Sequence, residues 1–326
     1  MKRIKIVGTG SYLPEKVLTN LDLEKMVDTT DEWITERTGI KERRVAEPNQ
    51  ATSDLACEAA KKALAAAGIT AQKIDTIIVG TSTPDTTYPS TACWLQKALG
   101  VKGSAAFDVN AGCSGFLYAL EVAASLIVVG RAKRVLVIGA EVMSKAVNWE
   151  DRATCVLFGD GAGACVVVPT DGDSGILGSY WGADGNLAPL LYQPAGGTRM
   201  PASEETVKKK LHSVHMEGRE VFKYAVIWMG RAAAKVLEET GVSTEEIDLF
   251  IPHQANMRII DATLERLGFS KEKSYLNLSK CGNMSAATIP VAIDEAKREG
   301  KIKDGTKVLL AAFGTGFTWA AILLKW

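Results

Sequence analysis

At 326 residues the chain is long enough to bury a large core, as one domain or as two. Its 38 Lys and Arg balance 38 Asp and Glu, so no global field draws it to nucleic acid or to a membrane surface, and an acidic partner must dock on a local basic patch. The six cysteines are scattered with no CxxC pair, which fits free thiols in a reducing cytosol and argues against a disulfide framework.

The opening Met1-Lys-Arg-Ile-Lys-Ile-Val-Gly8 holds too short an apolar run for a signal peptide. A soluble, cytoplasmic protein is expected. Ile4 to Gly10 reads as a strand ending in a turn. Gly8 and Gly10 suggest a dinucleotide loop, but Leu13 stands where a third glycine belongs and no helix opens, so that reading is weak. Residues 21–44 read as helix and then turn, with Trp33 among charged neighbours. A small-residue helix over Ala51 to Ala67 leads through Gly68 to a strand over Ile74 to Gly80.

The most informative stretch is Phe107-Asp-Val-Asn-Ala-Gly-Cys-Ser-Gly-Phe-Leu-Tyr118. A short strand enters, Ala111-Gly112 turns it, and Cys113 stands where a helix begins. That helix, through about Val129, is apolar on nearly every side and should be buried; broken by Glu121, it is too short to span a bilayer. A thiol at a helix N-terminus meets the positive end of the macrodipole, which favours the thiolate. Farther on, Gly159-Asp-Gly-Ala-Gly163 runs directly into an apolar strand and reads as a tight turn between strands. The interval 172–215, rich in Gly, Pro and Ser, reads as irregular surface. Residues 304–324 read as a hairpin.

The chain resembles itself. The stretch from Leu64 to Asp75 is matched by that from Leu237 to Asp248, 173 residues later, with Leu, Gly, Ile and Asp in register. Phe107 and Cys113 align with Tyr275 and Cys281, 168 residues later, and Phe158-Gly-Asp-Gly161 is echoed by Phe313-Gly-Thr-Gly316. One α/β unit is used twice, as halves 1–172 and 173–326, and alternating strand and helix patterns predict mostly parallel sheets covered by helices.

In the second half a strand ends in Pro252-His253-Gln-Ala-Asn256, and ligands in α/β sheets gather at the carboxyl ends of strands. Asn283 follows in Lys280-Cys-Gly-Asn283-Met-Ser-Ala-Ala, at the position that repeats the Cys113 turn. It can act as a plain helix cap, or it can face Cys113 across a shared cleft. His212 and His215 have metal-like spacing without an accompanying acid or thiol cluster, so no metal is expected and a solvated pair is the reading. Cys, His and Asn admit two chemistries. One is papain-like proteolysis, whose local signature around the Cys is absent; the other is acyl transfer through a thioester.

Six motifs in order carry a resemblance over essentially the full length. They are Asp31-Glu-Trp-Ile with Arg37-Thr-Gly-Ile, Asn110-Ala-Gly-Cys-Ser-Gly115, Asp151-Arg-Ala-Thr-Cys-Val-Leu-Phe-Gly-Asp-Gly161, Pro252-His-Gln-Ala-Asn256, Gly282-Asn-Met-Ser-Ala-Ala287 and Phe313-Gly-Thr-Gly-Phe-Thr-Trp319. With them the chain resembles β-ketoacyl-acyl-carrier-protein synthase III, the initiating condensing enzyme of type II fatty-acid synthesis. The resemblance implies a thiolase-like α/β fold of two pseudo-repeated halves in α-β-α-β-α layers. It implies an acyl-Cys113 intermediate formed from a short acyl-CoA, acetyl-CoA by preference. His253 and Asn283 would then assist decarboxylation of malonyl-acyl-carrier protein, with the N–H groups of Cys113 and Gly316 as oxyanion hole.

The same resemblance places Trp33 and Arg152 on both faces of the CoA adenine. It puts Arg37, Thr29, Gly218 and Asn256 on the rest of CoA. Tyr88 is implied in closing the acyl pocket of a partner subunit in a homodimer, and Lys223, Arg258 and Arg266 in docking the carrier protein. Glu265 stands where relatives are often basic, and Met284 where they usually carry Thr. No cofactor is implied, since the CoA thioester is itself the substrate. Alternatives are a thiolase-family acyltransferase or condensing enzyme with another primer or acceptor, and a degenerate, non-catalytic partner, which would lack the nucleophile.

Overall fold

The computed structural model describes residues 3–326; Met1 and Lys2, the start of the opening segment, lie outside the described residues. The first half runs β1 (Arg3–Tyr12), β2 (Val17–Thr19), α1 (Asn20–Leu23), α2 (Asp31–Thr38), β3 (Glu42–Arg44) and α3 (Thr52–Ala67). It continues with β4 (Thr76–Gly80), α4 (Thr91–Ala98), β5 (Ala105–Val109), α5 (Gly115–Val128), β6 (Val135–Val142), α6 (Arg152–Cys155) and β7 (Asp160–Thr170). The second runs β8 (Gly175–Ala183), β9 (Leu191–Tyr192), α7 (Glu204–Lys208), β10 (His215–Met216) and α8 (Gly218–Thr240). After it come β11 (Leu249–Pro252), α9 (Met257–Leu267), α10 (Leu278–Cys281), α11 (Thr288–Arg298), β12 (Lys307–Gly314) and β13 (Thr318–Lys325).

Two sheets carry the architecture. The first has the order β1-β7-β6-β4-β5 and the second, reversed, β8-β13-β12-β11. The pairs β1/β8, β7/β13, β6/β12 and β4/β11 correspond, and a lone parallel bridge from Phe250 to Ser274 stands where β5 pairs in the first sheet. The internal repeat of the sequence is thus a repeat of sheet order. Helices α5 and α11 lie between the sheets, where Phe116, Leu117 and Leu120 of α5 and Ile289 and Ile293 of α11 share one core with Val137 and Leu310. Helix α3 covers the outer face of the first sheet, and α8 and α9 that of the second. The result is the α-β-α-β-α layering. It explains why α5 is apolar nearly all round: a middle-layer helix has no solvent side to speak of.

Four local readings are corrected. The sheets are mixed, with only the β4-β5, β4-β6 and β11-β12 pairs parallel. The reason is that β12 returns into β13 through a short turn, and such a connection permits only antiparallel pairing. Gly8 and Gly10 do not end the first strand; they sit inside β1 beneath α3, where a Cβ would lie 2.3 Å from the Ala63 carbonyl oxygen and 2.4 Å from that of Ala59. Gly161 and Gly163 likewise lie within β7 and not in a turn: a Cβ on Gly163 would meet the Pro290 backbone at 2.5 Å. The glycines mark close approach of helix to sheet, a requirement that looks the same as a turn in the sequence. Finally, the interval read as irregular contains β8, a nine-residue edge strand paired antiparallel to β13.

Replacing Gly8 by Ala forces the α3 backbone away from β1 and should cost about 1–3 kcal/mol of stability. Gly185→Ala, where a Cβ meets nothing within 4 Å, should leave the chemical-denaturation midpoint unchanged. Equal midpoints for both variants would overturn the packing argument.

Candidate active site

Cys113 sits between β5 and α5 on a turn built for close contact. Gly112 takes φ +56, a conformation open to glycine, and a Cβ there would strike the Thr315 hydroxyl at 2.4 Å. Gly314, at the end of β12, lies so near that its Cβ would be 2.6 Å from the Cys113 nitrogen. The Thr318 hydroxyl donates to the Ala111 carbonyl at 2.7 Å. The second half therefore clamps the nucleophile's turn directly.

His253 follows β11, its N–H donating to the Ala311 carbonyl at 2.7 Å. The next residue fixes this strand end: the Gln254 side chain accepts from the Asn277 and Leu278 N–H groups at 2.8 and 3.0 Å. The imidazole is fully buried, edge-on to Phe313 at 5.3 Å, and neither ring nitrogen has a hydrogen-bond partner among the described residues. Burial alone lowers its pKa to about 3, so the ring is neutral and presents one donor and one acceptor. Asn283 is held by its backbone, N–H to Leu157 O at 2.8 Å and O from Gly159 N–H at 3.0 Å. Its side-chain oxygen accepts from the Ser285 N–H at 2.8 Å, which leaves the amide N–H₂ as the group Asn283 can offer a ligand. Asn283 faces the cleft and is not the helix cap: the cap position of the turn that follows is Met284 and that of α11 is Ala287, while the Asn283 oxygen only closes a local turn onto Ser285.

These three residues line one cavity of about 740 Å³, together with Trp33, Arg37, Gly218, Asn256 and Arg258. A second cavity of about 320 Å³ opens on the other side of Cys113 and is lined by Ser82, Met143, Phe158, Leu191, Ser285 and Gly316. Cys113 faces both. The thiol departs from the sequence expectation. Burial pushes its pKa up to about 12, and the nearby Glu141 carboxyl raises it further. Desolvation of the thiolate is the largest influence on the thiol here.

Around the rim, Arg37 and Arg152 both sit over the Trp33 ring, their guanidinium carbons 4.9 and 4.8 Å from its centroid. Arg152 also donates to the Asp28 carbonyl at 2.8 Å. The expected adenine sandwich between Trp33 and Arg152 is therefore closed here, because the cation occupies the aromatic face that adenine would take. Asn256 caps α9 through the Arg258 N–H at 2.8 Å. Thr29 keeps a buried hydroxyl with no partner among the described residues and does not line the cavity.

Lys223, Arg258 and Arg266 are exposed, and Arg258 borders the cavity while the Arg266 stem packs beside Gly230. Tyr88 is 85 % exposed on the loop after β4, outside the lining of its own chain's 320 Å³ cavity. His212 contacts the Thr206 hydroxyl at 2.9 Å and His215 begins β10, both away from Cys113.

Three residues near the site carry no role in the sequence reading. Arg219 lines the larger cavity. Arg43 is a fully buried cation bonded to Leu18 O, Asn20 Oδ1 and Val156 O. Glu141 is fully buried on β6. Only Glu141 left a visible signal, a lone acid in the apolar run Val135–Val142.

The family model described as 3-oxoacyl-[acyl-carrier-protein (ACP)] synthase III matches residues 107–185, and its C-terminal counterpart matches residues 237–326. A β-ketoacyl-[acyl-carrier-protein] synthase III of Caldanaerobacter subterraneus subsp. tengcongensis is 59% identical over 98% of this chain and 97% of its own. One from Natranaerobius thermophilus is 53% identical over the whole of both chains. The solved structure of 3-oxoacyl-[acyl-carrier-protein] synthase III from Aquifex aeolicus VF5 superposes with TM-score 0.92 at 51% identity, over 99% of this chain and 100% of that one.

With a native pKa near 3, His253 binds its proton far later than an unfolded His at 6.5. The unfolded state holds the extra proton, so stability falls as pH drops from 6.5 towards 3, by up to about 1.4 kcal/mol per pH unit. Chemical denaturation of His253→Gln across that range should show a shallower decline than the wild type; parallel curves would mean that the ring is not buried neutral.

Proposed function

The chain belongs to the 3-oxoacyl-[acyl-carrier-protein] synthase III family, and from that premise we propose that it joins a short acyl-CoA to malonyl-acyl-carrier protein, giving a 3-ketoacyl-carrier protein and carbon dioxide. The observation that carries this reading is a fully buried, neutral His253 with two unpartnered nitrogens in the same cavity as Cys113 and the free amide of Asn283.

In the first half-reaction Cys113 attacks the thioester carbonyl carbon and CoA leaves, splitting the condensation into two easier steps. The developing oxyanion lies in the corner bounded by Cys113 and Gly316, and Gly316 permits close approach since it has no side chain. In the second, malonyl thioester occupies the larger cavity. His253 and Asn283 donate to its carbonyl oxygen, where charge builds as carbon dioxide departs, and the enolate carbon attacks the acyl-Cys113 carbonyl. Neutral donors suit this step. A carboxylate in place of Asn283 would repel the enolate, and the buried imidazole resists protonation. No resident cofactor enters these steps; the CoA thioester is the substrate.

Trp33, Arg37, Gly218, Asn256 and Arg258 border the channel that the CoA arm would follow, and Lys223 and Arg266 extend the basic surface to the acidic carrier protein. Arg152 and Thr29 meet the nucleotide once Arg152 leaves the Trp33 ring. The working unit is a homodimer. Strand β5 is an edge strand with half-buried Phe107 and Val109, and the exposed Tyr88 lies on the neighbouring loop. An apolar edge of this kind is a ready pairing surface for a second copy, whose acyl pocket Tyr88 would close. A reducing cytoplasm is the proposed setting, which the six free cysteines support, and among the described residues no helix is long and apolar enough to cross a membrane.

Acetyl-CoA is the proposed primer, with Tyr88 of the second copy limiting the pocket. The 320 Å³ cavity favours a second reading, a longer or branched short acyl group, because an acetyl group fills only about 60 Å³, the share of two waters.

Intact-protein mass after mixing with acetyl-CoA should show one acetyl group on the wild type and none on Cys113→Ala, with discharge by malonyl-carrier protein. Gain only with longer acyl-CoAs would move the primer; no gain with any would sink the condensing reading. His253→Ala or Asn283→Ala should lower malonyl decarboxylation about 10²–10³-fold while leaving acylation within about tenfold of wild type. Equal loss in both half-reactions would contradict this division of roles.

A further inference from the structure

Ser285 holds a backbone conformation that its side chain disfavours. Its φ of +47 is left-handed, a region that residues with a Cβ seldom occupy, and among the described residues only Lys210 shares it off glycine. Lys210 is exposed, whereas Ser285 is buried. Buried strain of this kind persists where the surroundings over-determine it.

Two groups of Ser285 are engaged. Its N–H donates to the Asn283 side-chain oxygen at 2.8 Å, and its hydroxyl donates to Glu141 at 2.9 Å. Glu141 is fully buried on β6 and is fixed from its far side by the segment after β4. The Ser82 N–H reaches it at 3.0 Å, the Thr83 N–H and hydroxyl at 3.0 and 2.6 Å, and the Thr81 hydroxyl at 3.2 Å. The turn that carries Ser285 also lies flush on β6, since a Cβ on Gly139 would stand 2.2 Å from the Ala286 carbonyl oxygen. Ser285 is thus held between a sheet strand and the Asn283 amide.

The amide needs that hold. Leu157 and Gly159 set the backbone of Asn283, but its side chain makes one hydrogen bond among the described residues, the one from Ser285. A primary amide has nearly the same shape when turned end for end, so its hydrogen-bond partners choose between the two arrangements. With its oxygen on the Ser285 N–H, the amide leaves its N–H₂ end for the thioester. Turned over, it would bring an acceptor to an oxygen that gains negative charge, and would repel it.

We propose that Glu141 and Ser285 are positioning residues for decarboxylation. Glu141 anchors the Ser285 hydroxyl, the left-handed turn is held in place, and the Ser285 N–H keeps the Asn283 amide with its donor end toward the malonyl thioester. The inference deepens the role given to Asn283 above and rests on it. No proton moves through either residue in this role. Both residues also brace the fold, and a loss of bracing alone would lower both half-reactions together.

Two substitutions separate conformation from bracing. Ser285→Ala and Ser285→Gly both lose the hydroxyl, but glycine takes φ +47 freely and alanine does not. Release of labelled carbon dioxide from malonyl-carrier protein is measured beside acetylation of Cys113 by mass. Ser285→Ala should lower kcat for decarboxylation about 10- to 100-fold, as a misplaced group does, with KM for malonyl-carrier protein within about twofold of wild type. Its acetylation should slow less, and Ser285→Gly should keep more decarboxylation than Ser285→Ala. In an Asn283→Ala background, Ser285→Ala should bring no further loss, because its effect runs through the amide. Glu141→Gln, with one acceptor oxygen in place of two, should resemble Ser285→Ala; if it fails to fold, the Ser285 variants still decide. Wild-type decarboxylation in Ser285→Ala, a glycine variant no better than alanine, or losses that multiply in the Asn283→Ala background would each overturn the positioning role. An Asn283→Ala variant that decarboxylates as fast as wild type would instead overturn the role of Asn283 itself.

Discussion

The backbones of two half-chains touch at Cys113, and the rest of the structure is arranged so that they can. Gly314 presses on the Cys113 nitrogen and Gly112 on Thr315, while Thr318 bonds the Ala111 carbonyl. Each contact joins the first half to the second. Side chains at positions 112 or 314 would push the halves apart, and the site would lose the fixed geometry on which electrostatic stabilisation depends. The central layer serves the same end. Helix α5 carries Cys113 at its start, and Gly80 lets it approach β4 until a Cβ would lie 2.6 Å from the Gly115 carbonyl carbon.

Desolvation follows from that packing and sets the chemistry. Burial holds His253 neutral and raises the Cys113 thiol, and it encloses two ionisable side chains, Glu141 and Arg43, neither with an opposite charge bonded to it. Burial pulls Arg43 down to about 10, and its Cβ packs against Gly159 and Gly282, the residues flanking the backbone bonds of Asn283. Buried charges without an opposite partner cost stability unless hydrogen bonds replace their water. Both do have such bonds, Arg43 from carbonyl and amide oxygens and Glu141 from N–H and hydroxyl donors. Their hydrogen bonds tie down the two loops that place Asn283 and Ser285, so stability is exchanged for position.

Much of this was legible in the sequence because covalent order and period survive folding. The register between Leu64–Asp75 and Leu237–Asp248 reports the repeated sheet order, and the small-residue turn before an apolar helix reports the place of Cys113. His253 was readable as a polar residue ending a strand. The failures share a cause. A glycine required by a neighbouring helix looks the same as a glycine required by a turn, so Gly8, Gly10, Gly161 and Gly163 were misplaced. The burial of the thiol is hidden from the sequence for a related reason. A helix start is visible in the sequence, whereas the depth of burial depends on the distant β12 and the turn before α11. Ser285 lies inside a quoted motif, yet nothing local announces that its hydroxyl reaches the distant Glu141.

Cys113 is shared by two cavities, and this arrangement imposes an order on the chemistry. The larger one, bordered by Trp33, Arg37 and Arg258, has the basic and aromatic rim that suits a phosphate-bearing arm; the smaller, walled by Met143, Phe158 and Leu191, suits an apolar chain end. A thioester arriving through the first can leave its acyl group in the second only by passing it to the sulfur. Once CoA departs, the larger cavity is free, and the acyl carbonyl remains at the junction beside Gly316. In the proposed reaction the second thioester would then meet His253 and Asn283, which line the larger cavity and not the smaller. Two substrates that use one channel in turn need a covalent holding point between channel and pocket, and a clamped cysteine at that junction is the residue that provides it.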